Sequence, residues 1–314
     1  MTTPYLFAFD FDGTIARTFE PSPSNLDVRE AYRRGIRSVF GEKGAETYKK
    51  IGGLKNNAPT ELVQRMLDAD TNGRLREHAL SLLGKGLIFI EDPLKDITEL
   101  LIAEKLACLE SEIGKEMPDG SIWPKQCEGF SKFWGALQGL KQEGIDITTG
   151  IVSSGHTDII KRVFGLYELT EPDIIVSEDE IRPRRHPIEI SRRAKPGQLQ
   201  MALLHKEWLE LKSGGTRVIG LSQKALSTRD NIVYFGDDPY KDGKLAEGAR
   251  VTFGLLSPNG NVPLLNEGQF SFRNWTEVSG ILALNAAMLK EGVFIGEVLG
   301  LPSIEGRMGS KERL

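Results

Sequence analysis

Two aspartates one residue apart, Asp10 and Asp12, are the residues of this 314-residue chain whose types and spacing best suit chemistry. They follow an apolar run at residues 5–9 and precede Gly13. A continuous apolar run ended by glycine predicts a short buried strand, and ligands bind at the carboxyl ends of strands in open α/β sheets. Because Gly13 lets the chain turn at once, both carboxylates can converge on one site. Carboxylates are rarely buried without a cation or a hydrogen-bond network, although an isolated pair of this kind is more often a turn cap beside a solvated residue.

A second acidic cluster follows another apolar run, at residues 232–236. Asp237 and Asp238 come directly after this run, and Asp242 follows shortly afterwards. Hard divalent cations take oxygen ligands, and Mg²⁺ uses one or two carboxylates together with water and phosphate. An EF-hand counted from Asp238 is excluded, because Ala249 would stand at its twelfth position, where a carboxylate is required.

Two further segments carry groups that bind anions. Ser153, Ser154 and Gly155 end a third apolar run and come before a helical pattern at residues 156–164. A hydroxyl and backbone N–H groups at a helix start form an anion cradle, although a serine there is also an ordinary N-cap. Lys195 precedes another helical pattern, and a single lysine at such a place is by itself typical of a solvated surface.

The order of these segments, strand–Asp-x-Asp, strand–Ser, Lys and strand–Gly-Asp, resembles the four motifs of the haloacid dehalogenase-like (HAD) hydrolase superfamily over most of the chain. The resemblance implies that Asp10 is a nucleophile and Asp12 a general acid/base. It also implies that Ser153 is a phosphate-binding hydroxyl, with Ser154 as the alternative shifted by one residue. Lys195 matches the lysine of the third motif.

The same resemblance implies a magnesium site and a reaction. Asp10, the main-chain carbonyl of Asp12 and Asp237 would ligate Mg²⁺, and Asp242 and Asp238 would orient its water molecules. Asp10 would form an aspartyl-phosphate, and Asp12 would protonate the leaving oxygen and then activate water. The acid at position 12 favours phosphatases and phosphomutases over dehalogenases. We therefore predict a Mg²⁺-dependent phosphatase acting on a small phosphorylated metabolite, with a phosphomutase or a non-enzymatic binding or regulatory protein of the same fold as alternatives.

The elements that must position these residues are predicted to form an α/β fold, a Rossmann-like three-layer core with a mainly parallel sheet. The stretch between Asp12 and Ser153 is far longer than a crossover helix needs, and its pattern is helical, which indicates an inserted all-helical cap domain. We predict a discontinuous core at 1–16 and 126–300, a cap at 17–125 and a peripheral tail at 301–314.

Periodicity and proline positions give the predicted helices. In the cap they lie at 26–40, 59–67 and 93–113, and in the core at 128–143, 156–164, 198–211 and 277–289. Residues 250–256 are predicted to form an edge strand.

Substrate contacts are predicted at Ser154, Gly155 and Lys55. Lys55 lies in a glycine- and asparagine-containing loop, 52–57, which suits either recognition of an anionic or hydroxylated leaving group or an ordinary solvated connection. The arginine-rich segment 182–193 could attract a polyanion, but it lacks the interleaved aromatic residues of a stacking surface and favours a solvated loop.

Composition predicts a cytoplasmic enzyme. The net charge is −4, without the basic excess of a general nucleic-acid binder, so no nucleic acid partner is expected. No apolar run approaches the ~20 residues of a membrane span, and no secretion signal is recognisable. Two cysteines, Cys108 and Cys127, are too few for a disulfide framework and fit a reducing compartment. We expect a monomer or homodimer that has no membrane contact.

Overall fold

A computed structural model describes residues 3–53, 59–84, 92–181, 195, 197–215, 229–260 and 265–301. Within these residues the chain divides into two compact units. The first, here the α/β unit, contains the chain up to Arg17 and the described chain from Gln126 onward. The second, here the helical unit, lies within Thr18–Lys125. Predicted residue Lys55 and the basic segment 182–193 lie outside the described residues.

As far as the structure describes it, the α/β unit is organised around a six-stranded sheet in which every paired neighbour is parallel. The strands are β1 (Tyr5–Phe9), β2 (Ile147–Val152), β3 (Ile174–Val176), β4 (Ile232–Gly236), β5 (Thr252–Leu256) and β6 (Gln269–Phe272). Their order across the sheet is β3-β2-β1-β4-β5-β6. This arrangement confirms the predicted α/β class with a parallel, Rossmann-like sheet.

Twelve helices accompany the sheet in the described residues. They are α1 (Val28–Lys50), α2 (Pro59–Asp68), α3 (Arg74–Gly84), α4 (Pro93–Glu110), α5 (Phe130–Gln142), α6 (Thr157–Leu166), α7 (Glu178–Ile181), α8 (Leu199–Lys212), α9 (Lys241–Ala249), α10 (Trp275–Leu284), α11 (Ala286–Lys290) and α12 (Ile295–Val298). None of them combines the length and apolar character needed to cross a bilayer.

The sheet is covered on both faces because successive side chains of a strand point in opposite directions. On one face Leu6 and Tyr234 belong to an apolar cluster with residues of α8 and α9. On the other face, the ring of Phe9 stacks on Phe235 at a centroid distance of 5.4 Å and contacts aromatic rings of α5 and α10. Burial on both faces explains why these strands are continuous apolar runs rather than alternating ones.

The strand order places the first acidic segment at the centre of the sheet. From β1 the chain builds outward to β2 and β3 on one side, and later through β4 to β5 and β6 on the other. The order therefore reverses between β1 and β4, and crevices at such switch points are where open α/β sheets bind ligands. Asp10 and Asp237 follow these two strands.

The helical unit has an apolar core of its own, in which α1 packs against α4. Asp27 caps α1 by accepting a hydrogen bond from the backbone N–H of Glu30 (2.7 Å), and Asp92 similarly caps α4, whose first residue is Pro93. Among the described residues, this core includes side chains from α1, α2, α3 and α4: Tyr32, Ile36, Val39, Phe40, Leu62, Val63, Met66, Leu67, Leu75, Ala79, Ile97 and Leu101.

Two predicted elements differ from the observed ones. The strand predicted at the sheet edge, β5, is interior, and β6 is the edge instead; the prediction was wrong because β6 is short and only half-buried, so its pattern is weak. The helix predicted to end at residue 40 does stop there, because Gly41 is non-helical (φ 69°), and helix resumes beyond this kink up to Lys50. The helix predicted at 277–289 is split at Asn285, whose side chain donates to the carbonyl of Val298 (2.7 Å).

Candidate active site

Asp10 lies at the carboxyl end of β1, where a tight loop begins. Its backbone N–H donates to the carbonyl of Phe235 on β4 (2.7 Å), which extends the pairing of the two central strands to the site. The loop closes on itself through hydrogen bonds from the N–H of Gly13 to the carbonyl of Ala16 (2.8 Å) and from Ala16 back to Phe11 (3.1 Å). The strand and this loop hold the Asp10 carboxylate in place, and its side chain is 12% exposed.

A buried lysine joins the first and last acidic segments. The Nζ atom of Lys195 donates to Oδ1 of Asp10 (2.5 Å) and to Oδ1 of Asp242 (2.9 Å). The hydroxyl of Tyr234 donates to the same Oδ1 atom of Asp242 (2.8 Å). Lys195, expected on its own to be solvated, is 7% exposed, so the structure brings together three of the predicted site residues and adds Tyr234 to them.

Sequence reasoning missed Tyr234, although one signal was present. Tyr234 lies in the interior of an apolar strand, where a tyrosine hydroxyl needs a hydrogen-bond partner. The acidic residues that follow that strand were the available acceptors.

Three carboxylates form a compact group around this lysine. Oxygen atoms of Asp10, Asp237 and Asp242 all lie within 4.8 Å of one another. Asp237 packs directly on Gly13, where a Cβ atom would lie 2.1 Å from its Oδ2 atom. We call Asp10, Asp237 and Asp242 the carboxylate cluster.

The electrostatics of the carboxylate cluster favour an additional cation. Burial raises the pKa of Asp10 well above its ordinary value; Lys195 opposes this effect, and the neighbouring carboxylates add to it. Burial, and then the charge of Asp242, raises the pKa of Asp237 to about 7. Burial would lower the pKa of Lys195, but the charges of Asp10 and Asp242 outweigh it and raise that pKa. Three carboxylates thus share one ammonium group, and a divalent ion that takes oxygen ligands fits this donor set and charge.

The structure does not bring Asp238 into the carboxylate cluster. Oδ1 of Asp238 accepts hydrogen bonds from the backbone N–H groups of Tyr240 (2.8 Å) and Lys241 (2.9 Å). Its own N–H donates to Oδ2 of Asp242 (3.2 Å). Asp238 therefore orders the turn that begins α9 and helps to hold Asp242, while its own side chain stays 38% exposed.

The segment after β2 places Ser153 and Gly155 beside Asp12. A Cβ atom on Gly155 would lie 3.1 Å from Oγ of Ser153 and 3.6 Å from Oδ2 of Asp12, so both polar groups face the same small space. Oγ of Ser153 accepts a hydrogen bond from the N–H of Gly155 (2.8 Å), and Ser153 is fully buried. Ser154 is exposed. Of the two serines, Ser153 is therefore the one with a buried, hydrogen-bonded hydroxyl.

A glycine at position 13 is required by this geometry, and its replacement gives the first prediction. In Gly13→Ala, the added Cβ would collide with Asp237, and φ of +82° is a left-handed conformation that costs a residue with a Cβ roughly 1–2 kcal/mol. We expect a lower melting temperature together with loss of divalent-cation binding, measured by thermal unfolding with and without Mg²⁺. Gly144→Ala is the matched control, because Gly144 has φ of +89° but no atom within 4 Å of its added Cβ. Equal effects of the two variants on cation binding would contradict the close packing of Asp237 on Gly13.

Comparison with known proteins gives likenesses in structure only. No family model matches the chain, and no curated protein matches it significantly. Similar solved structures include HAD-superfamily hydrolases, with phosphatases and haloacid dehalogenases among them. One is CbbY from Rhodobacter sphaeroides in complex with phosphate, with 15% identity and a TM-score of 0.47, covering 88% of this chain and 96% of that one. Another is a HAD phosphatase from Thermococcus onnurineus, with 14% identity and a TM-score of 0.41, covering 90% of this chain and 98% of that one. A third is 2-haloacid dehalogenase from Pseudomonas syringae pv. tomato, with 17% identity and a TM-score of 0.40, covering 90% of this chain and 99% of that one. At these identities and TM-scores the activity of this chain has to be inferred from its own residues.

Proposed function

We propose that this chain is a HAD-superfamily hydrolase and, within that class, a Mg²⁺-dependent phosphatase of a small phosphorylated metabolite. The observation that carries the proposal is the buried Lys195, shared between Asp10 and Asp242 at the carboxyl ends of the central strands. A solvated turn cap needs no such partner, and carboxylates with raised pKa values around a buried lysine are typical of functional sites.

The carboxylate cluster would hold the metal. Asp10 and Asp237 would supply carboxylate oxygens and Asp12 its main-chain carbonyl, with Asp242 supporting them. Bound Mg²⁺ would offset the negative charge of both the cluster and an incoming phosphate group.

The chain's own residues account for the chemistry. Asp10 would attack the phosphorus atom, so that a bond forms between its carboxylate oxygen and phosphorus while the bond to the leaving oxygen breaks. Asp12 would give that oxygen its proton and then take one from the water that hydrolyses the aspartyl-phosphate. Lys195 keeps Asp10 in place and offsets the repulsion between two anions.

Ser153 and the helical unit would contribute recognition. The buried hydroxyl of Ser153, beside Asp12, would hydrogen-bond a phosphoryl oxygen, with Gly155 and the backbone of Ser154 next to it. We propose that the helical unit acts as a cap that selects the leaving group, and that Lys55 contributes to this selection.

The experiment that tests the proposal is phosphate release from a panel of phosphorylated metabolites with Mg²⁺. EDTA and the Asp10→Asn variant are the controls. Release that requires Mg²⁺ and Asp10 would support a phosphatase, and the ranking of substrates would identify the leaving group. No release from any member by a folded, Mg²⁺-binding protein would contradict the proposal and favour a mutase or a binding role.

The pKa of Asp237 gives a prediction on pH. The carboxyl group of Asp237 binds its proton more tightly in the folded, metal-free protein than in the unfolded chain, because folding raises the pKa of Asp237 to about 7. Stability without metal should therefore fall as pH rises from the ordinary carboxylate range through 7. Mg²⁺ must displace the proton on Asp237 in order to bind, so the affinity of the protein for Mg²⁺ should weaken roughly tenfold per pH unit below 7. Calorimetric titrations at pH 6, 7 and 8 measure this, and a Mg²⁺ affinity independent of pH would contradict it.

A further inference from the structure

Gln200 is a buried amide on an otherwise apolar part of α8. It lies in the first turn of the helix and is 0% exposed, close along the helix to the buried residues Leu203 and Leu204. Its Nε2 atom donates to the main-chain carbonyl of Ser153 (2.9 Å). A carbonyl only accepts hydrogen bonds, so the NH₂ group and not the oxygen of the amide must face Ser153.

The burial of this amide is costly for the fold. Within the described residues, Oε1 of Gln200 is buried without a hydrogen-bond partner. A buried acceptor left unsatisfied destabilises the folded state, whereas a methionine of similar length would fill the same space without that cost. A polar residue at this position therefore indicates a role for its one hydrogen bond beyond packing.

That hydrogen bond fixes the peptide group between Ser153 and Ser154. The N–H of Ser153 donates to the carbonyl of Val176 (3.0 Å), and Oγ of Ser153 accepts from the N–H of Gly155 (2.8 Å). The backbone N–H and the side chain of Ser153 are thus fixed as well as its carbonyl group. In a planar trans peptide the N–H points opposite to the carbonyl. The N–H of Ser154 therefore points away from α8, and in the described part of the chain it donates no observed hydrogen bond.

We infer that Gln200 is a positioning residue that orients the N–H of Ser154 toward the phosphoryl group, an inference that rests on the proposed function. Lys195, on the segment leading into α8, contacts Asp10 and Asp242. Gln200, in the first turn of that helix, contacts the backbone of Ser153. One short stretch of chain thus positions both the nucleophile and the backbone donor for the anion.

The test uses inhibition by inorganic phosphate during hydrolysis of p-nitrophenyl phosphate. In Gln200→Met we expect phosphate to inhibit on the order of tenfold more weakly, the value of one hydrogen bond to an anion. The Mg²⁺ concentration for half-maximal activity should stay close to wild type. The melting temperature should stay close as well, because the variant removes the unpaired Oε1 atom and the hydrogen bond to Ser153 together, and these have opposite effects on stability. A merely structural role would lower the melting temperature without this selective change. Gln198→Met is the matched control, because Gln198 donates to the carbonyl of Leu245 (3.3 Å) and should leave phosphate inhibition unchanged.

The outcomes separate the two proposals. Wild-type hydrolysis with equal phosphate inhibition in Gln200→Met would overturn the role of Gln200 and leave the phosphatase standing. A wild-type protein that neither hydrolyses p-nitrophenyl phosphate nor binds phosphate would overturn both. If Gln200→Met does not fold, the amide resonance of Ser154 in the ¹⁵N-labelled wild type decides: a large shift on adding phosphate with Mg²⁺ is expected, and an unmoved resonance would overturn the inference.

Discussion

Asp10→Asn is expected to lower Mg²⁺-dependent phosphate release at least about a thousandfold while the protein stays folded. An amide cannot serve as the nucleophile, and it no longer attracts the ammonium group of Lys195. Folding should survive, because burial opposes the charge on Asp10 and raises its pKa, so removing the charge also removes that penalty. The measurement is the rate of phosphate release at saturating Mg²⁺, together with the melting temperature.

Asp173→Asn is a suitable control for this variant. Asp173 is a partly buried carboxylate that accepts from Lys141 (2.9 Å) and from the N–H of Thr149 (2.7 Å), and it precedes β3 at the amino end of the sheet. Its loss should lower the melting temperature and leave the rate nearly unchanged. An Asp10→Asn rate within tenfold of wild type would show that Asp10 is not the nucleophile.

Lys195→Met should destabilise the metal-free protein by about 3–5 kcal/mol, the range seen when one partner of a buried ion pair is removed. The methionine fills the space of the lysine stem but leaves Asp10 and Asp242 facing each other without the ammonium group. Urea unfolding in EDTA gives the free energy of unfolding. Saturating Mg²⁺ should restore part of the lost stability, because it supplies the missing positive charge.

An exposed ion pair provides the comparison for this second variant. Lys212 pairs with Asp146 (2.5 Å), and both side chains are partly exposed, at 27% and 33%. Lys212→Met should cost at most about 1 kcal/mol. Equal costs for the two lysines would mean that the pairing of Lys195 with two buried carboxylates contributes nothing specific.

The sequence carried the parts of the site that depend on local pattern. The apolar runs before Asp10, Ser153 and Asp237 are buried strands β1, β2 and β4, as predicted, because only interior strands of a parallel sheet are apolar on both faces. Proline at the first position of α2 and α4 likewise marked the helix starts correctly.

Contacts between distant residues could not be obtained in the same way. The bonds from Lys195 to Asp242 and from Gln200 to Ser153 depend on how α8 packs against the sheet, and no local pattern encodes that packing. Likewise, the sequence does not indicate which of two adjacent aspartates faces the site. In the structure Asp237 belongs to the carboxylate cluster, and Asp238 binds the backbone at the start of α9. The pattern of β6 was weak for a different reason, since an edge strand buries too few side chains to give a distinctive apolar run.

The most direct test of the account is to find the phosphoryl group on Asp10. Acetyl phosphate has a leaving group that needs no acid, so an Asp12→Asn variant with Mg²⁺ should accept its phosphoryl group but hydrolyse the product slowly. Acid quenching and peptide mass spectrometry would then locate the modification. We predict a phosphorylated peptide whose modified residue is Asp10, lost in the Asp10→Asn/Asp12→Asn double variant. The mechanism would be contradicted if the wild type releases phosphate from acetyl phosphate while the Asp12→Asn variant carries no phosphoryl group on Asp10. It would also be contradicted if the variant carries the phosphoryl group on another residue.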